Sequence, residues 1–404
     1  MKTKNVIGYM GLAFVWLHMY SCSTDDTIAT YTGVDDIPVV EAEDISVLST
    51  RANHLTMTSF SLLVYNTKTG KFIANKVLHT KNDNGTYTSS KTWRMVNFEM
   101  KAMAVSPSMD NLTNIALDDE NQYFEYAVSP DEGKGDMVKI GGNMSFTKAS
   151  TNNKLSMKFV NALSLVTLRA RNELKVERTE GETTTEFNVN IYVKGITIHN
   201  LQSKGRFNYT SDYNGKWTAI DDEYADYTQD LKEAVLLSSS TFSDVLDSAL
   251  VLLPQSPEKR SWAPAAQDDA SEEYALENGI AKANEDHKVY IELRCSMTAD
   301  LGNGLVYLWG SEDTYAPVYF PYVKKYCPKA WNTINKQGVY NLKFIKGEAL
   351  DADGRPIKPQ EQSHGESFEN AVFINVAPTN DNDEDNVDDW EDWETEGNTI
   401  DVEF

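Results

Sequence analysis

The stretch Met57-Thr58-Ser59-Phe60-Ser61-Leu62-Leu63-Val64-Tyr65, closed by Asn66-Thr67-Lys68-Thr69-Gly70, decides the fold class. Its β-branched and aromatic residues suit a pleated strand, and the Asn/Thr/Gly run after it is turn chemistry. Lys71 to Leu78 then pairs back as a hairpin. A second turn, Asn82-Asp83-Asn84-Gly85, leads into Thr86-Tyr87-Thr88. After Trp93, an alternation through Phe98, Met100, Ala102 and Ala104 runs to Pro107. Such period-2 patterns are strands with one buried face.

The same texture continues along the chain. Leu155-Ser156-Met157-Lys158-Phe159 alternates, and Leu163 to Leu168 extends the apolar face. Further strands are expected at 189–193, 195–199, 251–253, 289–293, 306–309 and 339–344. A short helix is expected around Asp230-Leu231-Lys232-Glu233-Ala234. Many short strands separated by turns predict an all-β protein built of antiparallel sandwiches. A chain of 404 residues is long enough for two or three domains.

Charge narrows the function classes. With 37 basic and 61 acidic residues the net charge is −24, which argues against nucleic acid and anionic membrane surfaces as partners and suits solubility of an exposed extracellular protein. The six histidines are scattered without metal spacing, and no phosphate loop, hydrolase elbow or zinc-protease motif occurs. No enzyme, cofactor or metal site is therefore expected. Asp351-Ala352-Asp353-Gly354 opens like a calcium loop, but Gln362 stands where the closing acid belongs, so it reads as a turn. Trp93, Trp217, Trp309 and Trp331 suit either a sugar platform or core packing, and their place within or beside strands favours the core.

The amino end carries an export signal. Lys2 and Lys4 precede an apolar run from Val6 to Leu17, too short to span a bilayer, and the cut point ends in Ser21-Cys22. Residues 1–21 are read as the signal peptide and 22–43 as an acidic tether. Cys295 and Cys327 remain; export permits a disulfide between them, and two buried thiols fit equally well. At the other end, 381–396 holds ten acidic residues and two tryptophans, followed by the alternating strand 399–404.

Taken in order, these segments resemble the fimbrillin family, the two-domain pilins and tip proteins of Bacteroides-type fimbriae. Ser21-Cys22 followed by Asp25-Asp26 is similar to the surface lipoprotein signal of that bacterial group, in which Cys22 is acylated. Asp44-Ile45-Ser46-Val47-Leu48-Ser49-Thr50-Arg51-Ala52, then Leu62 to Asn66, looks like the family's first strand, arginine processing site and next strand. Lys154 to Arg171 resembles the strand that opens the second domain. Ile196 to Leu201 with Gly205 and Trp217, the step Leu252-Leu253-Pro254-Gln255, and the ending Trp393 to Phe404 complete the pattern.

The resemblance implies two tandem β-sandwiches of transthyretin-like, Greek-key type, at 44–152 and 153–404, with the first strand 44–50 removable. It implies a palmitate-bearing lipoprotein of the outer membrane, exposed at the surface, and a protease that cuts between Arg51 and Ala52. Its partners would be other fimbrial subunits in a homo- or hetero-polymer, and a host or bacterial surface ligand. Loss of the first strand leaves unpaired backbone beside apolar pockets, which a neighbour's strand fills. Here the donor would come from the C-terminal strand pair, 373–376 and 400–404, with Ile400, Val402 and Phe404 entering the groove. The long acidic insert also fits a tip or accessory subunit whose last strands fold back on its own second domain. Two other readings are a monomeric glycan-binding surface lipoprotein and a fimbrial anchor subunit.

Overall fold

The computed structural model describes residues 37–46, 57–118, 120–131, 137–180, 182–220, 222–255, 260, 262, 280–302, 304–321, 334–335 and 337–345, and the backbone of 349–350, 356–357, 375–378 and 399–403. Among the described residues, apart from short helices at Lys148–Thr151 and Ile280–Glu285, the regular structure is strand, as expected.

The first sheet has seven strands. In spatial order they are β1 (Val39–Asp44), β9 (Lys154–Asn161), β8 (Lys139–Phe146), β5 (Met100–Ser106), β2 (Ser59–Asn66), β3 (Lys71–Lys81) and β4 (Tyr87–Ser89). The hairpin β2–β3 forms where the turn residues demand it, with Gly70 at φ 67°. β2 is buried almost throughout because both faces are covered. Phe60, Leu62 and Val64 enter one core, and Leu63 and Tyr65 enter another. β5 divides in the same way, with Met100, Ala102 and Ala104 on the first side and Met103 and Val105 on the second.

The first core is aromatic at its centre. Phe60 stacks on the His79 ring at 4.8 Å and meets Phe159 at 5.0 Å and Tyr87 at 5.1 Å. Trp93 and Met95 close it from the loop before β5. The second core is shared with a four-stranded sheet, ordered β14 (Asn214–Ala219), β13 (Lys204–Ser211), β7 (Gln122–Ala127) and β6 (Thr113–Leu117). There Phe124 and Phe207 stack at 5.3 Å, and Trp217 stands edge-on to Phe124 at 5.8 Å.

Two six-stranded sheets extend the second core. One places β10 (Ser164–Asn172) between β16 (Ser243–Asp244) with β17 (Leu250–Leu252) and β21 (Gln337–Ile345), and continues through β25 (Thr399–Glu403) to β24 (Asn375–Pro378). The other centres on β12 (Thr183–Gln202) and β18 (Tyr290–Asp300), flanked by β11 (Lys175–Glu180), β15 (Tyr224–Leu236), β19 (Leu305–Trp309) and β20 (Ala316–Pro321). β22 (Ala349–Leu350) and β23 (Pro356–Ile357) pair alone. Residues Ile37–Phe404 form one contact unit; Met1–Asp36 lies outside the described residues.

Three expectations need correction. The first described strand is Val39–Asp44, so the last part of the expected tether is strand; of the expected strand 44–50, residues 45–46 lie beyond its end and 47–50 lie outside the described residues. Asp44 ends β1, because its Oδ1 accepts from the Ser46 backbone N at 3.1 Å and turns the chain. The helix expected near 230–234 is part of β15, where Tyr227, Gln229 and Leu231 alternate inward and pair with β12. Tertiary pairing overrides the helical propensity of Leu-Lys-Glu-Ala.

The expected boundary at 152/153 falls between β8 and β9, which are paired strands of one sheet. The chain passes to the next sheet at Ala162-Leu163, and there Trp217 Nε1 donates to Ala162 O at 2.6 Å.

Candidate functional site

The edge strand β1 is the most unusual element of the first sheet. It runs parallel to β9, while every other described pairing in that sheet is antiparallel. The register sets Val40 against Leu155, Ala42 against Met157 and Asp44 against Phe159. Alternation gives β1 two unlike faces: Val39, Glu41 and Glu43 are exposed, while Val40 and Ala42 pack on the aromatic core. Among the described residues β1 has a ladder partner, β9, on one side only, so the outer edge of β1 is unpaired there.

That free edge faces β4, the opposite edge of the same sheet. Between them lies a cleft of about 1060 Å³, lined by β1, Tyr87, Lys91, Trp93, Met157 and Tyr213 among others. The two ends of the sheet's strand order, β1 and β4, thus lie near one another beside its core.

A buried charge fixes the end of β1. Lys139 on β8 is 2% exposed, and its Nζ lies 2.8 Å from Asp44 Oδ2 and donates to Ser46 Oγ at 2.7 Å. Ser46 Oγ in turn donates to Asp44 Oδ1. Burial pushes the Lys139 ammonium below its ordinary pKa, and Asp44 opposes the shift. By contrast the Glu41–Lys154 pair is half exposed and adds little. Backbone bonds from Val39 N to Asn153 O at 3.1 Å and from Ile45 N to Phe159 O at 2.9 Å extend the attachment at both ends.

The residues singled out from sequence fall as follows. Cys22, Arg51, Ala52, Cys327 and Phe404 lie outside the described residues, as do Val47, Leu48, Trp331, Asp351–Gly354 and the acidic insert. Ile400 and Val402 sit in β25, paired with Leu342 and Phe344 of β21 in the same chain. Cys295 is a fully buried free thiol on β18, its pKa raised by that burial. Trp93 and Trp309 are core residues and Trp217 is partly buried among Phe124 and Phe207, so these three present no sugar platform.

A second polar cluster lies on the β12 sheet. His199 is flanked by Asp226 (Nδ1 to Oδ2, 3.1 Å) and Glu292 (Nε2 to Oε2, 3.0 Å) and stacks on Tyr290 at 4.3 Å. Burial works against its charge, but the two carboxylates outweigh it and hold the pKa above the ordinary 6.5. Among the described residues, no group of three His, Cys, Asp or Glu is placed to hold a metal ion.

The importance of Lys139 and Ser46 was not read from sequence. A signal existed: Lys139 interrupts Met137-Val138-Lys139-Ile140 at an inward position of an apolar strand.

Among solved structures, Bacteroides fimbrial and candidate cell adhesion proteins are structural neighbours of this chain. A fimbrial protein of Bacteroides vulgatus aligns over 76% of this chain and 94% of its own, at 12% identity and a TM-score of 0.48. A candidate cell adhesion protein of Bacteroides eggerthii aligns over 82% and 89%, at 10% identity and a TM-score of 0.37. A candidate polysaccharide binding protein of Bacteroides thetaiotaomicron aligns over 80% and 98%, at 9% identity and a TM-score of 0.36. No family model and no curated protein matches the chain.

Proposed function

We propose that this chain is a structural subunit of a cell-surface fimbrium supporting adhesion. In this reading it is exported as a lipoprotein through Cys22, cut after Arg51 and joined to neighbouring subunits by exchange of β1. The observation that carries the reading is the placement of β1. It precedes the sequence-read cleavage point, it ends its sheet, and it roofs an apolar core through alternate side chains.

Removing such a strand has two physical consequences. The β9 edge loses its ladder, and Leu155, Met157 and Phe159 lose their cover. Each lost ladder bond costs about 0.5–1.5 kcal/mol net, and each newly wetted large side chain about 1.5–3 kcal/mol. An incoming strand restores both terms at once, which drives association without any new fold. The C-terminal strands suit a donor role because β25 and β24 end their own sheet and can leave without breaking an inner ladder. The fibre, the outer membrane through the lipid, and the processing protease are then the partners.

Treating the exported chain with a trypsin-like protease tests the reading. The expected product begins at Ala52 and forms oligomers resistant to mild SDS. A product that stays monomeric and retains residues 37–46 would overturn it.

A further inference from the structure

The geometry points to Lys139 as a charge pin that selects which strand may occupy the β1 position: one reading apolar-x-apolar-x-acidic, a pattern that the strand at 399–404 does not supply. This rests on the proposed exchange of β1. The resident strand supplies that pattern as Val40, Ala42 and Asp44, on one face and in register with Leu155, Met157 and Phe159. The first two cover the core, and the third reaches across β9 to the Lys139 ammonium at 2.8 Å. Asp44 and Ser46 are the partners that Lys139 Nζ finds, and both leave when β1 leaves. A buried ammonium stripped of its carboxylate is strongly unfavourable, so an occupant lacking the acid is penalised even if its apolar side chains fit.

The strand at 399–404 of a second copy fails this requirement. With Ile400 and Val402 seated where Val40 and Ala42 stand, Phe404 falls opposite Lys139. Run in the opposite direction, the same strand brings Asn398 to that place. Shifting by one residue seats Glu403 at the pin but puts Thr399 and Asp401 against the apolar core. Lys139 therefore disfavours a homopolymer joined through 399–404 and favours a donor of other sequence.

Two measurements on the full chain decide this. In the chain cut after Arg51, labelled peptides compete for the vacated position and are followed by fluorescence anisotropy. The 37–46 peptide should enter, while the same peptide with Asp44→Asn and the 397–404 peptide should each bind at least about tenfold more weakly. In Lys139→Met protein the difference between the two 37–46 peptides should shrink to about twofold or less. Equal binding of those two peptides by unsubstituted protein overturns the pin, as does full discrimination by Lys139→Met protein. Binding of 397–404 as tight as that of 37–46 overturns the exclusion of the 399–404 strand.

Failure of every peptide to enter overturns the exchange reading and the selection built on it. In the uncut chain, a double-mutant cycle of Asp44→Asn and Lys139→Met then judges the pair itself: strong coupling in the unfolding equilibrium is expected, and additivity contradicts it.

Discussion

Lys139 and Asp44 meet at 2.8 Å across the intervening strand β9, joining the buried floor of the first sheet to its exposed edge strand. Their contact ties β1 to the body more specifically than its apolar side chains do, since Val40 and Ala42 are small and only partly buried. A strand held mainly by a backbone ladder and one charge pair can be exchanged for another that offers the same two features.

The pair predicts an asymmetric mutational response. Asp44→Asn leaves a buried ammonium without its counter-charge and should destabilise the intact chain by about 3 kcal/mol or more. Lys139→Met leaves a carboxylate that still reaches solvent and should cost clearly less. Urea unfolding of the two variants checks the order, and equal costs would show that Lys139 is not held by Asp44.

His199 makes stability depend on pH in a definite direction. Its folded pKa is raised above 6.5, so the stabilisation from Asp226 and Glu292 is complete below that value. It is lost as the pH rises through the folded pKa. His79 acts oppositely, because burial lowers its pKa and protonation below 6.5 opposes folding. The difference in melting temperature between the unsubstituted chain and His199→Gln should therefore narrow from pH 6 to pH 8.5. A constant difference would place His199 outside the titration.

Close packing of β8 on β9 predicts that Gly141→Ala is harmful. A Cβ at that position would stand 2.9 Å from Lys158 O, a backbone atom with little room to yield. We expect a loss of about 1–3 kcal/mol by thermal melting, together with weaker attachment of β1, whose partner is that same β9.

Trp217→Phe tests the link made where the chain passes between sheets. The substitution keeps much of the ring contact with Phe124 and Phe207 but deletes the 2.6 Å hydrogen bond to Ala162 O. The expected cost is about 1–3 kcal/mol in chemical denaturation. Substituting Ala instead should cost about 3–5 kcal/mol, because the aromatic cluster then loses a member.

Much of the fold was legible because local chemistry and final structure agree. The hairpin at 59–81 is dictated by Asn66 to Gly70, and the alternation at 100–106 and 154–161 follows the pleat. Elements at the margin were less so. Val39–Asp44 has one short apolar alternation among carboxylates, and its strand character comes from β9, far along the chain. Asp230–Ala234 carries helix-forming residues, yet Tyr227, Gln229 and Leu231 are drawn inward by β12. Lys139 stands out within its apolar strand, but nothing local names its partner; that depends on a parallel pairing no hydrophobic pattern encodes.

The most direct test is amide hydrogen exchange at residues 154–161 in three states: the intact chain, the chain just after cleavage at Arg51, and the assembled oligomer. The account predicts protection in the first, loss of protection in the second and its return in the third. Protection that stays unchanged through cleavage and assembly would contradict it.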